Sequence, residues 1–165
     1  MTLFRCAAAR HSAWALLASI LMLGMAAPIA EAKSPGKTYC YNSVCHRVKT
    51  HAEMEKLVGS EEVVTASFYD DCKVDKHNPC QLLSSGEEMR ADLPDNAASP
   101  IYPNGTILIV TNPKTSTTLL LRINNSGPYV KGRLLDVSRA AAERLGFVKS
   151  GIAKLKVVVL TGPLS

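Results

Sequence analysis

Runs of Lys and Arg are absent from this 165-residue chain, and so are internal repeats and low-complexity segments. The first absence leaves no marked nucleic-acid surface despite a net charge of +5. The second argues against a solenoid or a fibre, as do counts of only 10 Gly and 9 Pro. No Gly-x-Ser-x-Gly segment occurs and no histidine follows His77, so a Ser-His-Asp hydrolase has little to be built from. What remains, 47% hydrophobic and 20% charged, is the composition of an ordinary globular protein.

One long apolar run is present. Arg5 and Arg10 precede an uncharged stretch from Ala13 to Ala30, which ends in Ala30-Glu31-Ala32. This is a signal-peptide pattern, with cleavage expected after Ala32. The run also just reaches the roughly 18 residues at which a spanning helix becomes possible, so a retained anchor is the alternative. Pro28 and the small-x-small site favour cleavage, and no cysteine follows the run to accept a lipid. No stable membrane anchor is therefore expected after processing, and the protein is expected to be exported. Loss of residues 1–32 removes Arg5, Arg10 and Glu31 and takes the net charge from +5 to +4. That modest excess suits an anionic polymer, or solubility alone. The remaining 133 residues suffice for one compact domain.

An exported chain meets an oxidising compartment, where Cys40, Cys45, Cys72 and Cys80 pair. Of the three possible connectivities, Cys40–Cys45 with Cys72–Cys80 closes two small loops, each contributing about 2 to 3 kcal/mol on the chain-entropy account. The rival is a zinc site from Cys40, Cys45, His46 and His51, which the compartment disfavours. Neither a metal nor a cofactor is expected, and oligomeric state is left open.

Residues 33–62 read as a polar extension, clipped by Cys40–Cys45, with a short helix near Ala52 to Val58 ended by Gly59. From residue 63 to 161 short β-branched stretches recur: Val63–Tyr69, Ile107–Thr111, Thr118–Ile123 and Leu155–Leu160. Asn112-Pro113-Lys114-Thr115-Ser116 joins the second and third as an antiparallel hairpin. One helix stands out from Arg139 to Leu145, with Ser138 as N-cap and Gly146 as left-handed C-cap. Short strands with a single helix predict a mainly β fold, a small closed barrel.

The segment Leu121-Arg122-Ile123-Asn124-Asn125-Ser126-Gly127-Pro128-Tyr129-Val130-Lys131-Gly132-Arg133-Leu134-Leu135-Asp136-Val137-Ser138-Arg139-Ala140-Ala141-Ala142 is more specific. With Ala66-Ser67-Phe68-Tyr69, Ser85-Gly86-Glu87 and Pro103-Asn104-Gly105-Thr106, it closely resembles the rare lipoprotein A (RlpA) family over about residues 64 to 160. That resemblance implies a six-stranded double-psi β-barrel, placed in a bacterial periplasm or cell envelope. For active members it implies cleavage of peptidoglycan glycan strands by lytic transglycosylation, in which one carboxyl serves as acid and then base. Such a group needs a pKa raised toward neutrality.

Asp136 matches the family's catalytic Asp and has apolar neighbours that would raise its pKa. The plainer reading is that it helps cap the following helix, although Ser138 is better placed to do so. Glu87 matches a family carboxylate near the cleft, where it could bind sugar or stabilise an oxocarbenium-like transition state, or it is simply a solvated acid. Arg122 and Arg133 are candidate glycan contacts, or members of structural ion pairs. Two departures from the family pattern fall on expected substrate contacts: Ser99 stands where the family has its active-site His, and Asn125-Ser126 where it has Asp-Arg. A third is the absence of a peptidoglycan-binding SPOR domain before the chain ends at Ser165. Two functions are therefore expected to compete, a divergent transglycosylase using Asp136 and Glu87, and a silent barrel that binds glycan or an envelope protein.

Overall fold

The computed structural model describes residues 32–75 and 82–163. The expected signal segment up to Glu31, and Cys80, lie outside the described residues. An N-terminal hairpin of β1 (Thr38–Tyr41) and β2 (Val44–Arg47) leads to α1 (His51–Leu57), and then to β3 (Glu61–Tyr69) and the short β4 (Asn96–Ala98). There follow β5 (Ile107–Asn112), β6 (Thr117–Asn125), β7 (Leu135–Ser138), α2 (Arg139–Leu145), a 3-10 turn over Val148–Ser150, and β8 (Ala153–Thr161). Six strands close a barrel in the order β3-β7-β4-β6-β5-β8. The expected mainly β barrel is thus present, and its closure leaves no sheet edge open to pairing.

Alternation along the strands builds the core. Val64 and Ala66, Leu108 and Val110, Leu121 and Ile123, Leu135 and Val137, and Leu155 and Val157 all lie in one buried cluster. Burial contributes about 1.5 to 3 kcal/mol for each Val, Leu or Ile side chain removed from water. The expected hairpin forms with Ile107 opposite Arg122 and Asn112 opposite Thr117. β4 was not anticipated, because Asn-Ala-Ala has little strand preference of its own. It is a strand because β6 and β7 pair with it on both sides.

α2 begins and ends as its residues dictate. The Ser138 Oγ accepts from the Ala141 amide at 3.1 Å, and Gly146 closes the helix at φ 77°. A side chain at Gly146 would also bring its Cβ within 2.9 Å of Thr115 Cγ2.

The extension packs on the barrel. Val48 is fully buried, and Met54 of α1 belongs to the barrel's own core cluster. Backbone amides of Lys49 and Gly59 donate to the carbonyls of Ile101 and Val159, both at 2.8 Å. α1 starts with a capping box of Thr50 and Glu53, and Glu53 also pairs with Arg47 of β2. Cys40 and Cys45 face each other across the hairpin and are disulfide-bonded. This bond takes both thiolates from the zinc alternative. Cys72 is disulfide-bonded too, and its expected partner Cys80 lies outside the described residues.

Candidate functional site

Strand register assembles the site before any side chain is considered. Ser67 of β3 lies opposite Asp136 of β7, Asp136 opposite Ala98 of β4, and Ala98 opposite Asn125 of β6. These four residues form one row across four strands, about 14 Å from end to end at the usual strand spacing. Because Ala66, Leu135 and Val137 belong to the core, Ser67 and Asp136 point to the outer face of the wall.

Asp136 is only partly exposed, and its Oδ1 is buried with no hydrogen-bond partner among the described residues. Burial pushes its carboxyl up to about 6. The Ser67 hydroxyl and the positive charge of Arg133 pull it back, while Asp75 adds to the rise. Ser67 Oγ is itself buried without a well-aligned hydrogen bond, so its pull is that of a nearby dipole. The capping alternative fails on geometry, since the Ser138 side chain, not Asp136, caps α2.

Glu87 is held differently. Arg122 Nη1 and Nη2 donate to its two carboxylate oxygens at 2.6 and 2.8 Å, and Asn124 Nδ2 donates to Oε2 at 3.1 Å. These bonds, Arg122 foremost, hold the Glu87 carboxyl below its ordinary range, so it stays ionised at neutral pH. Arg122 is thereby committed to Glu87. Arg133 makes no ion pair among the described residues and lies close enough to favour the charged form of Asp136.

Ser99 does not present its side chain to a ligand as expected, and the Asn125 side chain, half-buried, is engaged through its oxygen. Ser99 is wholly buried, and its hydroxyl donates to Leu134 O at 3.0 Å while accepting from the amides of Ile101 and Tyr102, both at 3.3 Å. The hydroxyl is spent on turning the chain. Asn125 Oδ1 accepts from the Ser84 amide at 3.1 Å, which braces the loop before Glu87.

Around these two residues the structure adds a group that sequence reasoning missed. The Lys33 side chain is buried, and its ammonium donates to Ser99 O at 2.7 Å and Asn125 O at 3.0 Å. Burial without a carboxylate lowers its pKa to about 7. No local signal marks it, since it opens a polar stretch that reads as solvated. Tyr69, Asn96 and Asn124 were also missed. The Tyr69 hydroxyl is buried without a hydrogen-bond partner among the described residues, and its titration is pushed upward by burial and by Asp136 and Asp95. Ser67 and Tyr69 could have been found by period two, which puts both on one strand face. Among the described residues, no cluster of His, Cys, Asp and Glu could hold a metal ion.

The arrangement offers a protonatable buried carboxyl on β7 and a fixed carboxylate that Arg122 of β6 holds from the loop before β4. The lytic transglycolase family matches residues 61–157. The endolytic peptidoglycan transglycosylase RlpA of Pasteurella multocida is 33% identical over 122 residues, 74% of this chain and 38% of its own length. The protein of the same name from Rickettsia felis is 34% identical over 95 residues, 58% of this chain and 40% of its own. That of Neisseria meningitidis serogroup A is 41% identical over 61 residues, 37% of this chain and 26% of its own. The chain thus spans two fifths or less of the length of these relatives. With most of the barrel matched and its six strands closed as the family requires, this chain belongs to the RlpA-like, double-psi β-barrel family of lytic transglycolases.

Proposed function

We propose that the protein cleaves peptidoglycan glycan strands by lytic transglycosylation, with Asp136 carrying the proton. The observation that supports this most is a carboxyl with one buried oxygen, unbonded among the described residues, and a pKa raised to about 6, on a barrel whose β6 also holds an ionised Glu87 through Arg122. Protonated Asp136 gives its proton to the glycosidic oxygen as the bond from that oxygen to C1 breaks. The resulting carboxylate then takes the proton of the sugar's 6-hydroxyl as O6 bonds to C1, so an anhydro sugar forms without water. Proton count and charge return to their starting values. Glu87, kept ionised by Arg122, supplies a fixed negative charge that favours an oxocarbenium-like transition state.

The same proposal includes export with cleavage after Ala32, supported by the apolar run and by a disulfide that suits an oxidising compartment. Incubation of the mature protein with peptide-free glycan strands tests the chemistry. Anhydro-muramyl ends are expected by mass spectrometry. Binding without such ends would overturn the enzyme in favour of a glycan-binding barrel. Intact mass of the exported protein tests the start at Lys33.

A further inference from the structure

The chain has only five tyrosines. Three of them gather at one place away from the core. Tyr41 of β1 and Tyr129, in the segment between β6 and β7, have ring centroids 6.2 Å apart at an interplanar angle of 53°. His46 of β2 lies 6.4 Å from the same Tyr129 ring. Tyr39 is near enough for its phenol to act electrostatically on that of Tyr129. Tyr41 is nonetheless 63% exposed, so the contact does not serve to bury it.

The hairpin that carries Tyr41 is cross-linked and tightly turned. Cys40–Cys45 ties its strands together, and the turn residues Asn42 and Ser43 take φ values of 47° and 62°, as a tight two-residue hairpin turn requires. A ring held in advance loses little conformational freedom when a ligand covers it. Position also matters. Tyr129 follows Asn125 by four residues and precedes Asp136 by seven, so it lies no more than about 25 Å from the candidate proton carrier. Tyr41 comes from outside the family match, which begins at residue 61.

We propose that Tyr41 and Tyr129 form an accessory sugar subsite, in which one pyranose ring of the glycan strand lies against the tyrosine rings. This rests on the glycan-cleaving function proposed above and extends the substrate surface onto the N-terminal hairpin. A pyranose offers an apolar C–H face to an aromatic ring and hydroxyls at its rim, which matches a side chain with an apolar body and a polar tip. Val130 adds an exposed apolar side chain next to Tyr129, and Asn42, Ser43, Lys131 and Gly132 beside the two tyrosines in the chain are exposed polar or small residues. That fits one sugar ring better than the roughly 800 Å² per partner of a stable protein interface.

The test uses the mature chain carrying Asp136→Asn, so that ligand is not consumed, with peptide-free glycan strands as the probe. Calorimetry reads affinity and NMR reads the tyrosine rings. The Tyr41 and Tyr129 ring signals should shift on binding. Tyr41→Ala should weaken binding to long strands about tenfold, the size of one ring contact, while Tyr41→Phe, which keeps the ring, stays within about twofold. A single disaccharide should not distinguish Tyr41→Ala from its parent. If signals near Asp136 shift while Tyr41 stays still and Tyr41→Ala binds normally, the subsite is overturned and the proposed function stands. A Tyr41→Ala loss equally large for the disaccharide overturns the subsite as well. No shift and no heat anywhere overturn both.

Discussion

Glu87 meets Arg122 through two short contacts, at 2.6 and 2.8 Å, with Asn124 as a third donor. Asp136, on β7, keeps an oxygen buried with nothing bonded to it among the described residues. Pairing holds the first carboxyl below its ordinary range, and desolvation raises the second to about 6. Lys33 is the cationic counterpart of Asp136, buried against carbonyls alone and lowered to about 7. A paired charge keeps its protonation state across neutral pH, whereas an unpaired buried one changes state there. Paired groups can supply a fixed field, and unpaired groups can move a proton.

The largest expected effect comes from abolishing the unpaired acid. Asp136→Asn should lower release of anhydro ends by roughly 10²- to 10⁴-fold while glycan binding persists. A variant that cleaves as fast as wild type would remove Asp136 from the chemistry.

The same substitution should stabilise the fold at alkaline pH. The folded pKa, about 6, lies above the model-peptide value of 3.8, so the native state holds the proton more tightly. That stabilising contribution is complete below about pH 4 and lost as pH rises through 6. Relative to wild type, Asp136→Asn should therefore gain about 2 to 3 kcal/mol between pH 4 and pH 8, read from urea unfolding.

Lys33 should show the opposite slope in a different window. Its folded pKa, about 7, lies below 10.5, so the unfolded chain binds more protons between those values and stability rises with pH there. From pH 7 to pH 9 wild type should gain about 2 to 3 kcal/mol over Lys33→Met, again by urea unfolding. Parallel curves would mean that the ammonium is not buried.

Glu87→Gln removes only a fixed, half-exposed charge and should reduce cleavage about tenfold, less than a fully buried stabiliser would. A loss as large as that of Asp136→Asn would erase the distinction between the two carboxyls. The smallest effect belongs to Ser67→Ala. Its hydroxyl favours the charged form of Asp136, so its loss should move the alkaline limb of the kcat/KM profile upward by less than about one pH unit.

The strands that alternate strongly, and α2 with Ser138 and Gly146 at its ends, were legible because their preferences are local. β4 was not, because pairing on both sides outweighs what Asn96, Ala97 and Ala98 prefer alone. The site divides in the same way. Asp136 and Glu87 stand out by motif, but Ser99 was read as a ligand contact when its hydroxyl is spent on backbone groups of Leu134, Ile101 and Tyr102.

By itself the sequence determined the mainly β class, the cysteines able to pair, the helix ends and the carboxyls worth testing, since composition, spacing and local propensity carry those. Only the tertiary structure decided that Asp136 is unpaired while Glu87 is clamped, that Lys33 reaches back to the carbonyls of Ser99 and Asn125, and that Tyr41 meets Tyr129. The physical reason is that desolvation and pairing depend on groups distant in the chain. Residues 33 and 125, or 87 and 122, acquire a shared electrostatic environment only when the barrel closes.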